Sequence, residues 1–416
     1  MSFDSHAALS VAARIADHVC DTAFRHGDRC TSMGMTQDAE DDSDQVDFTY
    51  GTLGPDLYGG SSGVALFLSE ACRQTGDRRW RDTALAGIAH AVDQLDTISP
   101  QARAGFYTGH VGVAYAAALI GRSLDRADME AQAIAVLERL GGAADADVVV
   151  DLLSGGTGAI APLLALAVQL DRPALCDLAM RLGRRTIATA IRSDDGWSWP
   201  VSAGAIEAAQ PLTGLAHGAA GIGWSLLELG NATDSDEMTE AAHRAFRYEN
   251  RWFRPAADNW PDFREEDGED APTCVAWCHG APGIGLTRLR AVELGFDAYR
   301  ADAEAAMRTT RSSLADRDSW IDGDFSLCHG HSGLGEVLRY ASRVLGRPEL
   351  AELVSEAAAA GAARFADEPA SWPCGVRRGR NPSLMIGLAG IGYFFLGLAD
   401  PALPSVLLVR PSDRPA

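Results

Sequence analysis

The chain has 416 residues, 47% of them hydrophobic, and a formal net charge of −21. This is enough apolar material for a large core, and the acidic balance argues against a nucleic-acid partner, which needs Lys and Arg gathered on a phosphate-facing patch. All 36 basic residues are arginines, a bias of the kind a GC-rich genome produces, and the eight cysteines are too sparse for a disulfide scaffold.

Met1 to Ser10 lacks the basic start and apolar centre of a secretory signal, so the expected setting is the cytoplasm, with reduced thiols. Residues 1–50 read as an N-terminal helix and an acidic loop, Asp38 to Asp47, belonging to the same fold as residues 51–400. Those residues repeat a glycine-centred motif seven times. It reads Gly60-Ser61-Ser62-Gly63, Gly109-His110-Val111-Gly112, Gly155-Gly156-Thr157-Gly158, Gly218-Ala219-Ala220-Gly221, Gly280-Ala281-Pro282-Gly283, Gly330-His331-Ser332-Gly333 and Gly387-Leu388-Ala389-Gly390. Spacings of 46 to 63 residues signal a repeat architecture rather than two or three separate domains. No strand precedes the glycines and no βαβ unit surrounds them, so they are not a dinucleotide fingerprint.

Most motifs open into a run that is apolar on nearly every side, as in a buried helix. Between them, Arg79 to Leu95, Ala127 to Leu140, Ala174 to Ile191 and Pro348 to Phe365 have the period of surface helices. Strand signals are nearly absent; the Val run within Asp147 to Leu153 is helical or extended. The longest apolar stretch, Met385 to Ala399, is too short and glycine-rich to span a bilayer, and residues 401–416 read as a C-terminal tail. The expected fold is all-α, about seven helical hairpins. If the stack closes, it is an α/α toroid with inner and outer helix rings. An open solenoid is the competing shape, but it would want polar caps, and the last copy ends in the apolar run Ile391 to Leu398. Three long loops interrupt the helices. Ser193 to Thr213 carries Trp197 and Trp199. Arg251 to Ala276 carries Trp252, Phe253, Trp260, Phe263 and a run of acids. Asp367 to Ser383 carries Trp372, Cys374, Arg377, Arg378 and Arg380. Their tryptophans and arginines are expected to rim the mouth and hold a substrate.

Cys278 stands two residues before the first glycine of the fifth motif. Cys328 stands two before that of the sixth, followed by His329. Equivalent positions of adjacent repeats fall on one rim, which turns a separation of some fifty residues into proximity. Two thiolates and an imidazole suit Zn2+, and three protein ligands leave the open position of a catalytic site. Cys274 keeps a closed, structural Cys274–Cys278–Cys328–His329 site open as an alternative, and buried cysteines with no metal are a third reading. His217, just before the fourth motif, and Asp151, four residues before Gly155, are either cap and core residues or an acid/base His oriented by an Asp. His279 and His331 lie at the same rim with no role assigned. Cys20, Cys30, Cys72, Cys176 and Cys374 lack the phase and read as structural.

Trp277-Cys278-His279-Gly280-Ala281-Pro282-Gly283-Ile284-Gly285, followed by Leu327-Cys328-His329-Gly330, resembles the lanthipeptide cyclases, the LanC-like family. The likeness runs over nearly the whole chain, from Leu57-Tyr58-Gly59 to Leu388-Ala389-Gly390-Ile391-Gly392. The Trp-Cys-His-Gly form and the ending around Tyr393, Asp400 and Pro401 look closer to the cyclase domain of class II synthetases. The resemblance implies Zn2+ on Cys278, Cys328 and His329, with His217 as the acid/base residue and Asp151 its neighbour. It implies a lanthionine synthetase adding peptide Cys thiols to dehydroalanine or dehydrobutyrine, forming lanthionine or methyllanthionine rings. The partner would be a dehydrated precursor peptide. Class II synthetases carry a long N-terminal dehydratase region and this chain begins almost at the cyclase, so either it is a cyclase working alone or, as expected, its dehydratase is a separate chain. Class I relatives often have Arg where this chain has Cys274, so a role for that Arg does not transfer. The alternatives are a LanC-like enzyme adding glutathione or another thiol to dehydroamino acids, and a non-catalytic module on a structural Cys₃His zinc. Unrelated toroids fit less well. A glycosidase needs a carboxylate pair, and a prenyltransferase combines Asp, Cys and His.

Overall fold

The computed structural model describes residues 3–37, 48–140, 149–200, 210–264, 266, 268–375 and 381–411. Helix α1 spans Ser5–Asp21. Next come six hairpins: α2 (Ser61–Thr75) with α3 (Arg78–Asp93), α4 (His110–Ser123) with α5 (Ala127–Glu138), α6 (Ile160–Gln169) with α7 (Ala174–Ala188), α8 (Ala219–Thr233) with α9 (Asp236–Arg251), α10 (Ala281–Glu293) with α11 (Arg300–Leu314), and, after the single turn α12 (Ser319–Asp322), α13 (His331–Leu345) with α14 (Pro348–Phe365). The seventh inner helix, α15 (Leu388–Ala399), takes α1 as its outer partner and also packs on α2, so the chain's first and last helices close the ring. The structure is therefore a closed toroid, which periodicity alone left open against a solenoid.

The helices divide as their patterns require. Every residue of α2 from Ser61 to Cys72 is buried, whereas α9 buries the stripe Met238, Ala241, Ala242, Ala245, Phe246 and Glu249 and turns its other face to water. The second glycine of each motif is a steric requirement. At Gly333 an added Cβ would stand 1.9 Å from the Leu327 carbonyl oxygen, and the same approach to the carbonyl six residues back recurs in all seven repeats. It presses each inner helix onto the turn that precedes it.

Those turns are tied to one another. Met385 N–H donates to the Tyr58 carbonyl (2.9 Å), Tyr58 to Tyr107 (2.9 Å), Leu153 to Ala216 (3.0 Å), Ala216 to Cys278 (3.0 Å), Trp277 to Cys328 (2.9 Å) and Cys328 to Met385 (2.8 Å). The remaining link, from Thr108 Oγ1 to the Leu153 carbonyl, is 3.5 Å. A belt of hydrogen bonds thus circles one mouth of the toroid through every repeat, and each bond satisfies a carbonyl of a turn that leads into an inner helix.

Residues 406–409, placed in a tail by sequence, are buried. They enter the ring of inner helices, where the Tyr107 hydroxyl donates to the Val406 carbonyl (2.9 Å) and Trp277 Nε1 to that of Leu407 (3.1 Å). A cavity of about 210 Å³ remains between this segment and α10, α13 and α15.

Among the described residues, three short antiparallel hairpins accompany the helices and leave the all-α class intact. They pair β1 (Phe24–His26) with β2 (Arg29–Thr31), β3 (Met33–Gln37) with β4 (Phe48–Thr52), and β5 (Ile191–Ser193) with β6 (Gly196–Ser198). Strands of three to five residues carry too few positions for a period of two to show. The region expected as helix plus acidic loop therefore also contains β-structure, while Asp38 to Asp47 lies outside the described residues. The segment Asp147 to Leu153 is not helical where it is described. Among the described residues no helix is long and apolar enough to cross a membrane.

Candidate active site at the belted mouth

The positions two residues before the first glycines are Tyr58, Tyr107, Leu153, Ala216, Cys278, Cys328 and Met385, the residues of the belt itself. The belt puts the fourth, fifth and sixth repeats side by side, and with them His217, His279 and His329, each just before its glycine. Gly280 differs from the other first glycines in having φ +84, because its turn folds back on Val275 as a β-bridge; an added Cβ there would stand 1.8 Å from the Cys274 carbonyl oxygen.

The Cys278 and Cys328 thiols are neighbours. The adjoining Cys328 thiol, then burial, pushes the Cys278 thiol well above its usual range. The Tyr58 hydroxyl donates to Cys328 Sγ at 3.0 Å. His329 comes next on the exposed rim and faces Asp324, Nε2 to Oδ2 3.7 Å. Among the described residues no three His, Cys, Asp or Glu side chains close on one point as they stand. The donor chemistry nevertheless fits a soft divalent ion. Two sulfurs are neighbours, ionising Cys278 is opposed by Cys328 and by burial, a cation would relieve that opposition, and an imidazole adjoins on the same turn. Cys274 forms no triple with the other two sulfurs. Burial, then Cys278, pushes its thiol up to about 11.

Beside the thiols, His217 Nδ1 lies 2.7 Å from Asp151 Oδ2. Asp151 is buried, and its other oxygen accepts from the Ser154 N–H (2.6 Å) and hydroxyl (2.9 Å), so the carboxylate is fixed and holds Nδ1–H. The belt bond from Leu153 to Ala216 makes this pair adjacent. Nε2 is left as the nitrogen available to a reactant. His279 is buried 5.8 Å from the His217 ring, centroid to centroid, and its Nδ1 is 3.8 Å from Asp262 Oδ1. Burial, then the charge of Arg264, pushes it down to about 3, so it is neutral. Arg264 in turn chelates Asp262 through Nε and Nη2. His331 faces away from this cluster. Its Nδ1 meets the Asp324 carbonyl (2.7 Å), its Nε2 meets Ser319 Oγ (2.8 Å), and its ring packs on Phe325.

A family model described as "Lanthionine synthetase C-like protein" matches residues 51–408. The chain belongs to the lanthionine synthetase C-like family. Among solved structures this family member is similar to one titled "Nisin cyclase", at 19% identity and TM-score 0.60, over 83% of this chain and 89% of that one. A weaker likeness, 15% identity and TM-score 0.46 over 75% and 85% of the two chains, is to an unsaturated glucuronyl hydrolase from Bacillus sp. GL1.

The sequence pointed to Cys278, Cys328, His217 and Asp151, and the structure gathers them at one mouth. His329 stands on the same turn but is directed to Asp324. Two residues escaped. Tyr58 shares the phase of the cysteines, a signal available in the sequence. Glu249 had no such signal: it sits on outer helix α9, yet Oε1 accepts from Gly214 N–H (3.1 Å) and Ala220 N–H (2.7 Å), the two ends of the turn that carries His217. Of the loop tryptophans expected at the mouth, Trp197 and Trp252 are half-buried and the other three are covered. Trp199, Trp260 and Trp372 are buried, with Trp199 Nε1 donating to Thr186 O and Trp260 Nε1 to Glu249 O, so they anchor their loops. Arg377, Arg378 and Arg380 lie outside the described residues.

Proposed function

We propose that this protein is a zinc-dependent cyclase that adds a peptide's Cys thiol to a dehydroalanine or dehydrobutyrine of the same peptide, closing a lanthionine or methyllanthionine ring. The observation that carries the reading is the Cys278–Cys328 thiol pair set beside the Asp151–His217 pair at one mouth of a toroid of this family. Cys278, Cys328 and His329 would hold the Zn2+, which when bound acidifies a thiol and leaves it nucleophilic near neutral pH.

The residues have separate tasks. Asp151 keeps Nδ1–H of His217 engaged, so Nε2 is the basic nitrogen facing the reactants. His217 Nε2 receives the substrate thiol's proton. The sulfur adds to the β-carbon, the π-electrons move to the α-carbon as an enolate, and Nε2 returns the proton there. One S–H and one C=C become one C–S and one C–H, and no further reactant is needed. His279 is neutral beside His217 and so does not oppose the imidazolium formed in between. The dehydroamino acids themselves would come from a prior dehydration of Ser and Thr residues in the precursor peptide.

The test is ring formation on a pre-dehydrated peptide, with mass spectrometry after alkylation of residual thiols. Cys278→Ala is expected to fall to the non-enzymatic background. Undiminished cyclisation by that variant, or by metal-stripped wild type, refutes the reading.

A further inference from the structure

Of the seven belt positions, two carry phenols, and they are used differently. The Tyr107 hydroxyl points to the C-terminal segment and donates to the Val406 carbonyl. The Tyr58 hydroxyl points to the thiol pair and donates to Cys328 Sγ at 3.0 Å. The belt fixes this reach. Cys328 N–H bonds Met385 O and Met385 N–H bonds Tyr58 O, so the sixth, seventh and first repeats stand in succession and the phenol spans the seventh. Its direction is held by packing. The Tyr58 ring meets Tyr107 edge-on with centroids 6.4 Å apart, and Tyr107 meets Trp277 at 5.2 Å.

We propose that Tyr58 is a positioning residue for the Cys328 sulfur, whose hydrogen bond places Sγ and withdraws electron density from it. The inference rests on the zinc-cyclase reading. In that reading three sulfurs gather at one electrophile, and only the peptide's should attack. A protein thiolate free of hydrogen bonds competes for the same alkene, and its own alkylation would end catalysis. A hydroxyl donor makes the thiolate a weaker base, and sulfur nucleophilicity falls with basicity. Among the described residues Cys278 has no such hydroxyl but lies against Cys328, so one donor acts at the pair. By fixing where Sγ sits, the bond also pre-orients it toward the metal.

Tyr58→Phe keeps the ring and removes only the hydroxyl. Loaded with cobalt(II), the variant is expected to show its sulfur-to-metal charge-transfer absorption at lower energy than wild type, because the sulfur is more electron-rich. In a chelator competition it should hold zinc about 10–100-fold more weakly. Tyr107→Phe, which removes a hydroxyl that does not touch sulfur, should leave the absorption in place. An unmoved absorption in Tyr58→Phe overturns the proposal whatever its affinity, as does an equal shift in Tyr107→Phe. Wild-type protein that takes up no cobalt refutes the zinc reading itself, a separate failure.

Discussion

Glu249 makes the stability of this toroid fall as pH rises through neutrality. Its carboxyl is fully buried. Oε1 takes two backbone N–H bonds and Oε2 has no partner. Burial pushes it from the ordinary 4.5 up to about 8, against the pull of the Arg288 charge. The folded protein therefore keeps a proton that the unfolded chain has released. Stability increases with pH only where the unfolded state holds more protons; here it holds fewer, so the sign is negative. The contribution is fully present below about pH 4.5 and is lost as pH climbs to about 8. The slope is about 1.4 kcal/mol per pH unit, with a ceiling of about 5 kcal/mol across the window. Glu249→Gln preserves the accepting oxygen and replaces the titrating group by a neutral one. Urea unfolding of both proteins at pH 5, 6.5, 8 and 9 isolates this residue, because every other group cancels in the difference. Wild type should lose ground to the variant steadily from pH 5 to 8 and then run parallel. Parallel curves throughout would refute the buried, protonated carboxyl.

The site and the core give further expected outcomes. His217→Asn and Asp151→Asn should each lower ring formation by about 10²–10⁴-fold while zinc content by elemental analysis stays at the wild-type level. Glu228 and Arg290 form a buried pair at 2.6 Å between α8 and α10. Glu228→Ala removes the two-pronged partner while the guanidinium keeps Glu293 (2.5 Å), and should cost about 1.5–3 kcal/mol in chemical denaturation. Gly333→Ala forces a methyl against the Leu327 carbonyl next to Cys328. It should destabilise the fold by about 1–3 kcal/mol and weaken zinc binding in a chelator competition.

The toroid was legible because its repeat is enforced sterically. A glycine that must meet a carbonyl six residues back cannot drift, so Gly63 through Gly390 mark every inner helix in the sequence. The phase of Cys278 and Cys328 was legible for the same reason, since the belt converts phase into adjacency. What stayed hidden depends on contacts between distant segments. Helix α1 gives no sign that its partner is α15, nearly the whole chain away. Glu249 looks like a surface residue of an amphipathic helix until the Gly214–Ala220 turn lies on it. The loop tryptophans resemble a binding rim in sequence, and only packing shows that Trp199 and Trp260 face inward. The orientation of His329 toward Asp324 is a side-chain choice that no spacing encodes.

The buried segment from Val406 to Val409 plugs the ring from within, two of its carbonyls held by Tyr107 and Trp277 of the belted turns. On the cyclase reading, a peptide would come and go by the belted mouth, with each ring closed on a separate visit.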